Sequence, residues 1–254
     1  MPLIETERGK IYFTDHRKSE RTPVILVHGA GGSHLDWSAG LRRLPEANAI
    51  ALDLPGHGKS PTPGRNSIYD YAADVIALLD ALDISQAIIA GHSMGGAIAQ
   101  VIGLQYASRV TGLILVGTAA KLVVNPYILE TTLTSMEEVS QTLVKWMWGP
   151  KATDEMRAFS YQRMNEISPQ ILYGDYIACD GFDIRDQIHN IHVPVLVIGG
   201  EVDKMTPPKF SQHLADTIPN TQLIIVPEGG HMMALEQSQI VIQAIKEWLN
   251  HAAT

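Results

Sequence analysis

Six short runs of the sequence contain nothing but apolar residues: 24–27, 49–52, 87–90, 113–116, 195–198 and 223–226. They are rich in Val and Ile and do not alternate with polar residues. A strand of that kind has no face to turn to water, so it must be covered on both sides. Helical patterns lie between the runs. Residues 68–82 carry apolar side chains at 68, 71, 72, 75, 78, 79 and 82, a stripe with the 3.6-residue period. Residues 93–106 are small or apolar nearly throughout and read as a buried helix, and 208–218 and 233–249 complete the set. Strand alternating with helix implies an α/β fold, a mainly parallel sheet flanked by helices. Residues 3–6 and 11–14, joined by a turn over 7–10, add a hairpin and bring the sheet to eight strands.

The rhythm breaks once. Residues 119–182 show no clear strand and four helical patterns, at 126–133, 136–148, 154–164 and 169–179. Eight of the chain's 16 aromatic residues and four of its nine methionines fall there. An inserted helical unit needs its own small core, and the same side chains can roof a pocket with a pliable apolar lining. A chain of 254 residues suits one large domain with an insertion. The expected organisation is a core of 1–118 and 183–254, with 119–182 as a helical cap after the sixth strand.

Charge and cysteine usage narrow the function classes. The formal net charge is −8, so the basic footprint of a nucleic-acid binder is missing and polyphosphate substrates are repelled over much of the surface. The single cysteine, Cys179, permits no intrachain disulfide and argues against a Cys-based zinc site. No apolar run approaches the roughly 18 residues of a membrane span. Acidic residues near the N-terminus stand where a signal peptide would be apolar, and a cytoplasmic location is expected.

The stretch most telling of chemistry is Gly91-His92-Ser93-Met94-Gly95-Gly96, which follows an apolar run and opens a helix. A sharp strand-to-helix turn strains the serine backbone, lifts its hydroxyl above the sheet and leaves room nearby only for glycine. A serine hydroxyl needs a base. Of ten histidines, His231 in Glu228-Gly229-Gly230-His231 follows the last strand and lies at the same carboxyl edge as Ser93. His92, beside the serine, is expected to point away, and His28 to bond backbone. His189 and His192 precede a strand at its amino end. The base needs an orienting acid, and Asp203 follows the run 195–198, with Glu201 its nearest competitor. The oxyanion that attack creates needs two N–H donors. Met94, after the serine, would give one, and Ala30 in the loop 28–32 the other.

Five motifs in this order carry a resemblance: H-G-A-G-G at 28–32, D-L-P-G-H-G-K-S at 53–60, G-H-S-M-G-G at 91–96, P-V-L-V-I-G-G-E-V-D at 194–203 and G-G-H-M-M at 229–233. Over nearly its whole length the chain resembles the α/β-hydrolase superfamily, and within it small capped carboxylesterases and the enol-lactonase group. The resemblance implies a catalytic triad of Ser93, Asp203 and His231, an oxyanion hole at Ala30 and Met94, and a lid in the region of 119–182. It implies no cofactor and no metal. The expected partner is a small-molecule ester, with the protein a monomer or small homo-oligomer. Trp146, Met147, Trp148 and Tyr176 are expected to line the substrate pocket. Lactone opening, C–C cleavage and slow-turnover ligand reception could use the same three residues.

Two look-alikes fail. Gly58-Lys59-Ser60 mimics the end of a phosphate-binding loop, but Asp53 holds the first glycine position and Pro61 and Pro63 block the helix that should follow. Gly29 and Gly31 mimic the start of a dinucleotide fingerprint, but His34 holds its third glycine position.

Overall fold

The apolar runs pair into one eight-stranded sheet in the order β1-β2-β4-β3-β5-β6-β7-β8. The strands are β1 Leu3–Thr6, β2 Gly9–Asp15, β3 Val24–Val27, β4 Ile50–Asp53, β5 Ala87–His92, β6 Val110–Val116, β7 Val195–Gly200 and β8 Thr221–Val226. β1 and β2 are antiparallel to their neighbours, and all other pairings are parallel. The computed structural model describes residues 3–18 and 20–252. The first hairpin is tighter than expected, because Gly9 and Lys10 already pair in the ladder with Thr6 and Glu5.

The absence of alternation in the central strands has the anticipated cause. Ile25 and Val27, Leu113 and Leu115, and Val195 and Val197 face one core, while Val24 and Leu26, Ile114 and Val116, and Leu196 and Ile198 face a second on the other side. Helices α2 (Ile68–Ala81) and α3 (Met94–Gln105) cover the first core. The short α1 (Ala39–Arg42) covers the second together with the C-terminal helices.

Four helices fill the span between β6 and β7: α4 Pro126–Thr132, α5 Met136–Met147, α6 Asp154–Met164 and α7 Pro169–Asp180. They have a small core of their own, with Ile128, Val139, Leu143, Met164, Leu172 and Tyr176 buried together. The two ends of this insert meet in a single antiparallel bridge between Lys121 and Asp183.

α8 (Pro208–Thr217) follows β7. The helix expected over 233–249 is two helices, α9 Met233–Glu236 and α10 Ser238–Ala252. The break falls at Gln237, where φ is −129° and ψ 48°. The Glu236 carboxylate is turned inward to main-chain amides of the His231 loop and the insert, which holds the first turn away from the axis of the next. Among the described residues no helix is long and apolar enough to cross a membrane.

Candidate active site

The chain runs from β3 to β4 on one side and later enters β5 on the other, so the sheet order reverses at β3. At such a switch point the loops beyond two neighbouring strands part and leave a crevice at their carboxyl ends. Val27 pairs with Gly91 across it. The loop 28–32 and Ser93 therefore emerge side by side.

Ser93 sits between β5 and α3 with φ 54° and ψ −118°. That left-handed backbone costs energy for a residue with a side chain and is sustained by its surroundings. The Ser93 amide donates to Val116 O at 2.9 Å, and the Thr118 hydroxyl donates to Ser93 O at 2.8 Å. Gly95 lies against the carbonyls of Val27 and His28, where a Cβ would collide. A Cβ on Gly29 would stand 3.1 Å from that of Ser93, so the loop after β3 rests directly on the candidate nucleophile.

The loop is itself pinned. His28 Nε2 accepts from Leu54 N at 3.0 Å, so its proton lies on Nδ1, which donates to Gly29 O at 2.7 Å. Burial and the charge of His57 hold the His28 pKa down at about 4, which keeps it neutral. Gly32 N donates to the same Gly29 oxygen at 3.1 Å. A trans peptide aims its N–H opposite its carbonyl. With Gly29 O held on one side, the Ala30 N–H points to the other.

His231 and Asp203 meet at the same edge. Asp203 Oδ2 lies 2.9 Å from His231 Nδ1 and accepts the Thr206 hydroxyl at 2.7 Å. Oδ1 accepts the amides of Met205 and Thr206 at 2.8 and 2.9 Å. Burial pushes the Asp203 pKa up, but the charge and hydrogen bond of His231 and the two Thr206 bonds outweigh it, and the carboxyl sits below its ordinary range. An ionised carboxylate only accepts, so the neutral form of His231 carries its proton on Nδ1 and leaves Nε2 bare. Glu201, by contrast, is exposed and accepts Glu228 N at 2.8 Å.

The His92 ring lies 4.8 Å from that of His231, and its Nε2 donates to His231 O at 2.9 Å. Burial and the His231 charge hold its pKa at about 3, so it stays a neutral prop. His189 and His192 are exposed ahead of β7. Thr206 also lay outside the sequence reading, although Asp203 bonding amides two and three residues on is an Asx turn that such spacing can suggest.

Ser93 and His231 share the wall of one cavity of about 190 Å³ between the sheet edge and the insert. Ala30, Met147 and Tyr176 line it, as do Leu143, Met164 and Met205. Met94 is buried beneath Ser93 at the first position of α3. Trp146 and Trp148 correct the expected pocket, since neither reaches the cavity. Trp146 packs against the insert's own core, and Trp148 is 5% exposed in the chain that backs Gly230. Helical spacing names a stripe but not the side it turns to, and Met147 alone of the three consecutive residues faces down.

Cys179 also lines the cavity, buried, with its thiol pKa raised well above the usual value by burial and then by Asp175 and Asp180. On the far side of the loop 28–32, His57 lies buried between two acceptors, Pro55 O at 3.1 Å from Nδ1 and Asp175 Oδ2 at 2.7 Å from Nε2. Burial lowers its pKa, but the charge and hydrogen bond of Asp175 prevail and it is raised. Asp53 nearby acts in the same direction, while His28, its ring 4.9 Å away, is neutral. A raised histidine stabilises the fold fully below its unfolded value of about 6.5, and that contribution is lost as pH rises through the folded value. Melting temperature is therefore expected to fall as pH rises above about 6.5, and to fall less in His57→Gln. Melts across pH 6–9 check this, and equal slopes would refute it.

Comparison with known proteins identifies the family. The chain is 30% identical over 241 residues to 3-oxoadipate enol-lactonase 2 of Acinetobacter baylyi, covering 90% of this chain and 89% of that protein. It is 29% identical over 238 residues to the dihydrolipoyllysine-residue acetyltransferase component of an acetoin cleaving system of Pseudomonas putida, covering 90% of this chain but spanning only 63% of that protein. Among solved structures, a thermophilic esterase from Thermogutta terrifontis superposes with a TM-score of 0.87 at 26% identity, over 100% of this chain and 99% of that one. The alpha/beta hydrolase family matches residues 24–244, six of the eight strands with the insert, and the chain belongs to that family.

Proposed function

We propose that the protein is a serine hydrolase that cleaves carboxylic esters of small to medium, mostly apolar acyl groups through an acyl-enzyme on Ser93. The observation that carries this reading is Ser93, strained at a strand–helix junction, sharing one cavity wall with the bare nitrogen of an Asp203-oriented His231. Ser93 Oγ attacks the acyl carbonyl and His231 Nε2 takes its proton. The amides of Ala30 and Met94 receive the oxyanion. Collapse expels the alkoxide, which His231 protonates, and water then hydrolyses the acyl-enzyme with His231 again as base. Residues 119–182 act as the cap that shapes the acyl site.

Turnover of p-nitrophenyl esters, with mass spectrometry after an organophosphonate, tests the reading. Steady turnover and a single adduct on Ser93 are expected. A stall after about one equivalent would indicate a ligand receptor, and preference for lactones or C–C substrates in the same panel would redirect the substrate class.

The cavity also predicts acyl preference. Each methylene buried gains about 0.8 kcal/mol, roughly fourfold in kcat/KM, while room lasts. Activity is expected to climb over the first few carbons and then fall. Met147→Phe is expected to move the optimum to shorter chains. An unmoved optimum in this variant would take Met147 out of the acyl site.

A further inference from the structure

We propose that Asp175, on α7 of the insert, is a positioning residue for the oxyanion loop. Its carboxylate is fully buried and has no solvent to satisfy it. Oδ2 accepts the amide of Gly31 at 2.8 Å and the ring N–H of His57 at 2.7 Å, and Oδ1 accepts the Tyr71 hydroxyl at 2.6 Å. Gly31 is the residue after Ala30, so the insert reaches across and grips the loop next to the proposed oxyanion donor.

The geometry of the turn gives that grip its meaning. Gly32 N bonds Gly29 O, which makes Gly29–Gly32 a β-turn with Ala30 and Gly31 at its centre. Gly31 has φ +65°, the sign a type II turn requires at its third position. Types I and II differ by a flip of the central peptide, the one that joins Ala30 to Gly31. The Gly29–Ala30 peptide is already held, through Gly29 O, by His28 and Gly32. Nothing in the loop itself holds the next one. Asp175 does so by taking the Gly31 N–H, which keeps the turn closed on Gly29 O, the bond that aims the Ala30 N–H.

His57 strengthens the hold. Among the described residues two acceptors face its ring nitrogens, so the imidazolium is the form that satisfies both. A charge-assisted bond is about twice as strong as a neutral one. The insert thus contributes to the chemistry by preorganising a donor as well as by shaping a pocket.

The inference rests on the acyl-enzyme reading above, and the experiment separates the two. The phosphonate adduct is first sought on Ser93 of the unsubstituted protein, and without it the acyl-enzyme reading itself fails. With it in hand, Asp175→Ala and Asp175→Asn are compared in steady-state kinetics and in binding of a trifluoromethyl ketone, which forms an oxyanion on the serine. Loss of a whole oxyanion donor costs about 10²–10³ in kcat. A misaimed one is expected to cost about 10- to 100-fold in Asp175→Ala, with KM little changed and the ketone weakened by the same factor. Asp175→Asn keeps an acceptor for Gly31 and turns its amide to the Tyr71 oxygen, so kcat is expected to recover to within about threefold. An unchanged kcat in Asp175→Ala, a loss confined to KM, or no recovery in Asp175→Asn would overturn the proposal. Should Asp175→Ala not fold, the Gly31 amide proton of the unsubstituted protein decides. Slow exchange with solvent supports the grip, and exchange as fast as in an open loop refutes it.

Discussion

Ser93→Ala is expected to lower kcat for ester hydrolysis by about 10⁵–10⁶-fold, the scale at which a nucleophile acting within a triad fails. The effect should be nearly pure chemistry. The Ser93 side chain caps no helix amide, and the bonds that hold the elbow run through its main chain to Val116 and Thr118. Alanine meets the same positive φ as serine, so the strain already present changes little. The melting temperature is therefore expected to stay within a few degrees and KM to change little. Stopped-time assays over hours, with the melt as control, make the measurement. A variant that retains a tenth of its activity, or phosphonate labelling elsewhere in the chain, would remove Ser93 from the mechanism.

Asp203→Asn is expected to cost about 10³–10⁴ in kcat, by analogy with the same change in serine proteases. Its direction follows from who bonds which oxygen. Oδ1 is claimed by the amides of Met205 and Thr206, so the asparagine oxygen takes that place. The amide nitrogen is then forced toward His231 Nδ1, where a donor stands in place of an acceptor. That arrangement favours a proton on Nε2, the atom that should receive the serine proton. There is a stability side as well. A carboxylate with a depressed pKa contributes fully above its unfolded value of about 3.9 and loses that contribution as pH falls through the folded one. Asp203→Asn should thus be less stable near neutrality and show a flatter acid limb. Glu201→Gln serves as the comparison, because its carboxylate accepts the amide of Glu228 and is exposed. A greater loss of kcat in Glu201→Gln than in Asp203→Asn would reassign the acid.

What the sequence revealed and what it hid divide by range. A run such as Val195-Leu196-Val197-Ile198 declares a doubly covered strand by itself, because burial on both faces is written into four consecutive residues. The elbow around Ser93 is equally local, with strand, turn glycines and helix start all within about ten positions. Asp203 and His231 were found through the shared edge that alternating strands impose. The bond from His92 to the His231 carbonyl was not legible, because it joins positions 139 residues apart. The pocket wall was half-legible. Trp146, Met147 and Trp148 share one helix end, and phase alone does not choose the residue that faces Ser93. Asp175 was out of reach, since its hydrogen bond with His57 joins positions 118 residues apart and neither residue lies in a pattern that names the other. The split of the C-terminal helix at Gln237 was hidden for the same reason, as its cause is a side chain reaching into the insert.

That side chain, Glu236, bears on how substrate gets in. Its carboxylate, 9% exposed, gathers the amides of Gly149 and Lys151 from the insert and of Gly230 from the loop that carries His231. Met232 N adds a bond to Met147 O at 3.0 Å. A hinged lid would have to tear these amides from a buried acceptor, at about 1–3 kcal/mol for each group left unmet. It would also release the stretch of chain that carries His231, the proposed base. Wide swings of the roof are thus costly and, on the proposed mechanism, would silence the catalyst while they last. Traffic should run instead through small, local breathing of side chains at the cavity mouth, with the roof itself in place. On the proposed function, a molecule built this way would admit its substrates by girth before any chemistry could discriminate between them.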